Sequence, residues 1–294
     1  MNRPITYLCN VIVTLLLIFS LAATAVLSVI QCYSLRADTC IALLGKHQLA
    51  DRVYDNLDSY YHEQANTSGI PASVYMDSIS KEQISEIIHA SVVNAFAYLH
   101  GADTMEQVET DFSKLEENLI SFFRTYAEEN GYEKDAAFEK TVDTAVANAK
   151  RNIMTTADVF RFYTLYDAKV LDKARAVTPL VPKALAAGIV LTAVLLGLLA
   201  WIHRKRIYQM LYWAAAAMFA ASVLMILPMT WINGTRWFDR FAVKSDQIFT
   251  AVTGYLYGNT GMVLMIGILG VVIAAALWIV FALLHRHMLQ KQSA

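Results

Sequence analysis

The sequence predicts an all-α, polytopic membrane protein with four transmembrane helices and a helical domain on the outer side of the membrane. Three observations carry this. Four stretches, residues 7–30, 184–202, 207–232 and 261–284, contain no Asp, Glu, Lys or Arg, and each is about as long as the roughly 20 helical residues that cross a bilayer. The 294-residue chain is 56% hydrophobic and only 17% charged, against roughly 25% charged in ordinary soluble domains. Its charges are also segregated, with 23 acidic and 15 basic residues in 33–183 but six basic and no acidic residues in 1–6, 203–206 and 285–294 taken together. Short basic segments stay cytoplasmic, so both termini and the turn at 203–206 are expected inside a cell membrane and residues 31–183 outside. The net charge of -1 leaves no basic face for nucleic acid.

The first span, 7–30, follows Arg3 and contains Ala23-Thr24-Ala25, the small-x-small form of a cleavage site. Its apolar run continues through Val26, Leu27, Val29 and Ile30, so a retained anchor is the reading and a cleaved signal peptide the alternative. A lipoprotein is ruled out because Gln31, not a small residue, precedes Cys32. Cys9 reads as a small buried hydrophobe. Cys32 and Cys40 lie eight residues apart, about 12 Å along one helix and beyond the roughly 7 Å a disulfide spans. A bridge therefore requires a break near 35–38.

Residues 31–183 read as a bundle of amphipathic helices continuous with spans one and two. Ile41, Leu44, Leu49, Val53, Leu57 and Tyr60 make one apolar stripe, with Gly45 a weak point inside it; Ile84, Ile87, Ile88, Val92, Phe96 and Leu99 make a second. Met105, Val108, Phe112, Leu115, Leu119, Phe122 and Tyr126 make a third, and a fourth runs from Phe138 to Val170. Ser80 with Gln83 and Asp103 with Glu106 have capping-box spacing; Gly101 and Gly131 are natural stops. A break is expected at 155–158, with Thr156 as the new cap. Pro179 and Pro182 mark re-entry into the membrane.

A basic turn, 203–206, links spans two and three, and 285–294 is the inner tail. Trp231 at the end of span three and Trp237, Tyr255 and Tyr257 in the outer loop 233–260 flank an amphipathic stretch, with Phe238, Phe241, Ile248, Phe249 and Val252 opposite Arg240, Lys244 and Asp246. It reads as a short interfacial helix lying on the membrane or against the bundle. Small-residue pairs at Ala193/Gly197, Gly254/Gly258 and Gly267/Gly270 are weak packing signals.

Candidate chemistry is sparse. Glu86 and His89 have the Glu-x-x-His spacing of di-iron bundles, but no second copy exists. His47 with Asp51 and Asp58 with His62 have the spacing to share a divalent ion, and salt-bridged pairs explain them more simply. Ser78 and Lys81 match Ser-x-x-Lys without its companion motifs, and the cap explains Ser80. His285 and His287 are two apart and face different ways. Asn66 and Asn233 begin acceptor sequons. No catalytic, cofactor or metal site is therefore assigned, and no cofactor is expected. The spans hold no charged residue and no inverted repeat, with Pro228 the one irregularity, which weighs against a coupled transporter.

The order of parts, one amino-terminal span, an outer helical domain with Gly69-Ile70-Pro71, then three clustered spans, resembles uncharacterised four-span membrane proteins of Gram-positive bacteria. That resemblance implies architecture and no activity. The expected function is a non-enzymatic binding, sensing or scaffold protein acting through its outer domain; the alternative is a subunit of a transporter or channel. The expected partners are the bilayer and a membrane protein or second copy, packed on Ala214-Ala215-Ala216-Ala217 or on nothing but the protein's own spans.

Overall fold

The computed structural model describes residues 3–204 and 206–293, so Lys205 of the basic turn lies outside the described residues. Every regular element among them is helical. The segments Tyr7–Ser34, Val170–Ile202, Tyr208–Gly234 and Asp246–Met288 are long and apolar enough to cross a membrane. The chain divides into two units: one holds residues up to Arg36, Val177–Arg240 and Leu256 onward, the other Ala37–Ala176 with Phe241–Tyr255.

In the first unit, α1 (Arg3–Val29) runs into a π-helical turn, Ile30–Ser34, and stops at Leu35. It packs along α10 (Leu180–Ile202) and α11 (Tyr208–Gly234). Leu17, Leu195, Leu199 and Ala217 form the small apolar centre of this contact. The opposite faces stay apolar yet open, with Phe19 at 65% and Leu227 at 64% exposure, as lipid-facing helices require. Aromatic residues gather at both ends of α11, Tyr7 against Trp213 and Tyr208 against Phe281 at one end, and Trp231 against Trp237 at the other. Tyr208 and Trp231 are about 34 Å apart along the helix, close to the hydrocarbon thickness plus its interfacial rims.

Two small residues judged weak as packing signals turn out to matter. Gly267 and Gly270 lie directly against Ser222 and Ile226 of α11. By contrast Gly197 has open space around it, and Ala193 is exposed. Ala215 and Ala217 are fully buried within the chain itself, so half of the alanine run serves the protein's own spans.

The second unit begins with α2 (Ala37–Lys46) and α3 (Leu49–Ser68). The expected single helix breaks at Gln48, whose backbone is left-handed at φ 50, not at Gly45. After the break the inward stripe is Leu49, Val53, Leu57, Tyr61 at strict four-residue spacing, which buries Tyr61 and turns Tyr60 to the surface. Gly69, at φ 71, ends α3 in the conformation only glycine takes without strain. A short helix, α4 (Ala72–Met76), follows Pro71 and presents Tyr75 to Tyr61, with ring centroids 4.0 Å apart. α5 (Lys81–Leu99) starts on the Ser80 cap, where the hydroxyl accepts from the Gln83 amide at 3.1 Å. The Gln83 side chain donates to the Asp111 carbonyl instead of reaching back.

α6 (Ser113–Asn130) starts ten residues later than Asp103. On one helix Met105 and Val108 would share a face; in the irregular segment they separate, Met105 joining Ala95, Tyr98 and Leu171 while Val108 packs on the main core. Asn94 and Tyr163 both donate to the Glu106 carbonyl, at 2.9 and 2.8 Å, replacing helical hydrogen bonds. The Asp111 side chain then accepts from the Ser113 amide. α7 (Ala136–Ala157) opens on Asp135, which accepts from the Phe138 amide at 2.8 Å. The expected break follows it, leading to α8 (Phe162–Asp167) and α9 (Val170–Val177).

Residues 246–260 are not a separate interfacial helix. They open α12 (Asp246–Ser293), 48 residues without interruption. Its first turns belong to the helical unit: Ala251 is buried in that core, Asp246 pairs with Arg52 at 2.8 Å, and His47 lies against Gly254. The helix continuous with a span is thus α12, whereas α1 and α10 are set off by breaks at Leu35–Arg36 and at Thr178–Pro179.

Candidate functional site

A cleft of the helical unit, about 540 Å³, lies among the segment before α6, the end of α7, and α8. Met105, Val108 and Met154 supply an apolar wall, and Gln107, Arg151, Thr155, Tyr163 and Asp167 bring polar groups to it. This size and mixture suit a small ligand or a peptide side chain. Arg151 makes no ion pair among the described residues, so its charge is available at the rim.

Asp158 builds the floor. It is 4% exposed, and its two carboxylate oxygens accept from the amides of Phe162 at 2.9 Å and Tyr163 at 3.0 Å. Asp158 rather than Thr156 is therefore the cap that restarts the chain; Thr156 is hydrogen-bonded to Asn152. Burial pushes the Asp158 carboxyl above its ordinary value of 3.8, opposed by those two amides and by Arg161. Burial likewise raises the Tyr163 phenol, with the Asp158 charge adding to it. With an amide bonded to each carboxylate oxygen, Asp158 orders the cleft.

An acid whose folded value is raised binds its proton more tightly when folded. Its contribution to stability is full below 3.8 and is lost as the pH rises through the folded value. Asp158→Asn is expected to abolish that part of the pH dependence while loosening the cap through the loss of one of its two amide acceptors. Hydrogen exchange of α8 amides between pH 4 and 7 reads both effects, and an unchanged pH profile would contradict the assignment.

None of the sequence motifs assembles a site. Asp51 pairs with Lys81 at 2.6 Å, not with His47; His62 pairs with Asp58 at 3.5 Å on α3. No group of three or more His, Cys, Asp or Glu side chains with metal-holding geometry occurs among the described residues. Glu86 and His89 are both exposed. Ser78 donates to the Tyr75 carbonyl, which with the Lys81 pair dissolves the Ser-x-x-Lys reading. Asn233 is engaged by Thr260 at 3.0 Å, whereas Asn66 is exposed at the end of α3. His285 stacks on Phe281. Cys32 and Cys40 are free thiols, and burial pushes Cys40 up to about 12.

No family model matches this chain, and no curated protein or solved structure does.

Proposed function

We propose that this is a multi-pass protein of the cell membrane, with both termini cytoplasmic, that binds a ligand or partner through an extracytoplasmic helical domain. The observation that carries the reading is the cleft with Arg151, unpaired among the described residues, at its rim, in a domain of acidic excess. Arg151 pairs with an anionic group of the ligand while Met105, Val108 and Met154 cover an apolar one. The commitment of Asp158 to capping supports binding over catalysis.

A photo-reactive benzoylphenylalanine at Gln107, on the cleft wall, tests this in native membranes. A discrete adduct is expected that is absent from the same probe at Ser59 and is lost with Arg151→Glu. No adduct at Gln107, or one indifferent to Arg151→Glu, would contradict the site.

A further inference from the structure

We propose that the apolar helices enclose a gated pathway for a small, uncharged, hydrogen-bonding solute, running along one face of α1 and shut at Leu17, Leu195 and Leu199. The inference rests on these helices crossing a membrane and is independent of the cleft in the helical domain.

Asn10, Thr14, Leu17, Leu21, Thr24, Ser28 and Gln31 recur along α1 and its π-helical end at alternating four- and three-residue spacing. That spacing aligns them on one stripe. The stripe is polar at both ends and apolar only in its middle. Polar side chains between membrane helices ordinarily serve as glue, each hydrogen-bonded across the contact, as Ser20 is to Thr192 at 2.8 Å. This stripe is different. Asn10 and Thr14 are 5% and 8% exposed, yet among the described residues Asn10 Oδ1 and Thr14 Oγ1 have no partner; Thr24 Oγ1 and Gln31 Oε1 are also buried without one there. In hydrocarbon such groups are costly, and a guest molecule that donates and accepts hydrogen bonds satisfies them.

The second helix repeats the pattern. Ser20 bonds to Thr192 and Thr24 lies against Gly188, an antiparallel register. Extended by about 15 Å, it brings Asn10 level with His203, which is 9% exposed and whose Nε2 also lacks a partner. His203 continues the Leu195–Leu199 stripe by one more four-residue step. Burial lowers its imidazole from the ordinary value, against a hydrogen bond with Gln209, which favours the neutral form. Beyond the leucines, a cavity of about 310 Å³ between α1, α10, α11 and α12 carries four hydroxyls, from Thr24, Ser28, Thr192 and Ser222, on an otherwise apolar wall.

Polar sections thus flank an apolar closure in which Leu17 and Leu199 are 0% and Leu195 is 3% exposed. That is the construction of a gate that closes by excluding water. The stripe of α1 and the lining of the outer cavity carry no Asp, Glu, Lys or Arg, which suits a neutral polyol or water rather than an ion.

Single cysteines in a Cys9→Ala, Cys32→Ser background, reconstituted in liposomes, test the pathway with a membrane-impermeant thiosulfonate applied to one face at a time. Thr14→Cys is expected to react from the face bearing His203, Thr24→Cys from the other face, and Leu17→Cys from neither. Adding Leu17→Asn should make Thr24→Cys reactive from both faces and raise glycerol uptake severalfold; Leu195→Ser should raise uptake likewise. If Thr14→Cys and Thr24→Cys are as inert as Leu17→Cys, or if neither gate variant raises uptake in folded protein, the pathway is overturned.

Discussion

Leu57→Ala is expected to loosen the helical domain severely. Leu57 is wholly buried in α3 within the cluster that includes Val53, Tyr61, Ile84 and Ile88. Removing three carbons there loses transfer free energy and leaves a cavity, together about 2–5 kcal/mol. A loss of 2 kcal/mol already speeds amide exchange through domain opening by about 30-fold. Hydrogen exchange of α3 and α5 peptides in the full-length protein measures it. Protection equal to that of the unsubstituted protein would mean that Leu57 is not in the core.

Gly267→Val is expected to damage the packing of the apolar helices strongly. A Cβ at Gly267 would lie 2.8 Å from Ile226 Cγ1 and 3.4 Å from the Ser222 carbonyl oxygen. The side chain at Ile226 can yield; the backbone carbonyl cannot, and valine adds two methyl groups beyond Cβ. Overpacking of this kind costs about 1–3 kcal/mol, and lipid offers no compensating hydrophobic drive to hold the helices together. The thermal midpoint in detergent should fall. Gly197→Val, at a glycine with open space around it, should leave it unchanged, so equal midpoints for the two variants would contradict the packing described.

Features carried by a single run of residues were legible in the sequence. The four spans, the Ser80 cap, the Gly131 stop and the break after α7 each depend on side chains within a few positions of one another. Features that depend on a distant partner were not. Met105 and Val108 fit a helical stripe, and only the two separate clusters they join draw that segment out of helix. The stretch within 246–260 read as a short helix separate from the last span, yet it runs unbroken into that span, and Arg52, His47 and the burial of Ala251 hold its first turns in place. The cleft escaped notice for the same reason: Arg151, Asp158 and Met105 lie on three different segments. The polar stripe of α1 was readable, since Asn10, Thr14, Thr24, Ser28 and Gln31 stand in order, but a count of charges passes over amides and hydroxyls.

Side-selective labelling of intact cells tests the account most directly, because the binding reading depends on the helical domain facing outward. In the same Cys9→Ala, Cys32→Ser background, with Cys40 shielded in the core, Ser113→Cys and His287→Cys each offer an exposed position. An impermeant maleimide is predicted to label Ser113→Cys in intact cells and His287→Cys only after permeabilisation. Labelling of His287→Cys in intact cells, with Ser113→Cys protected, would contradict it.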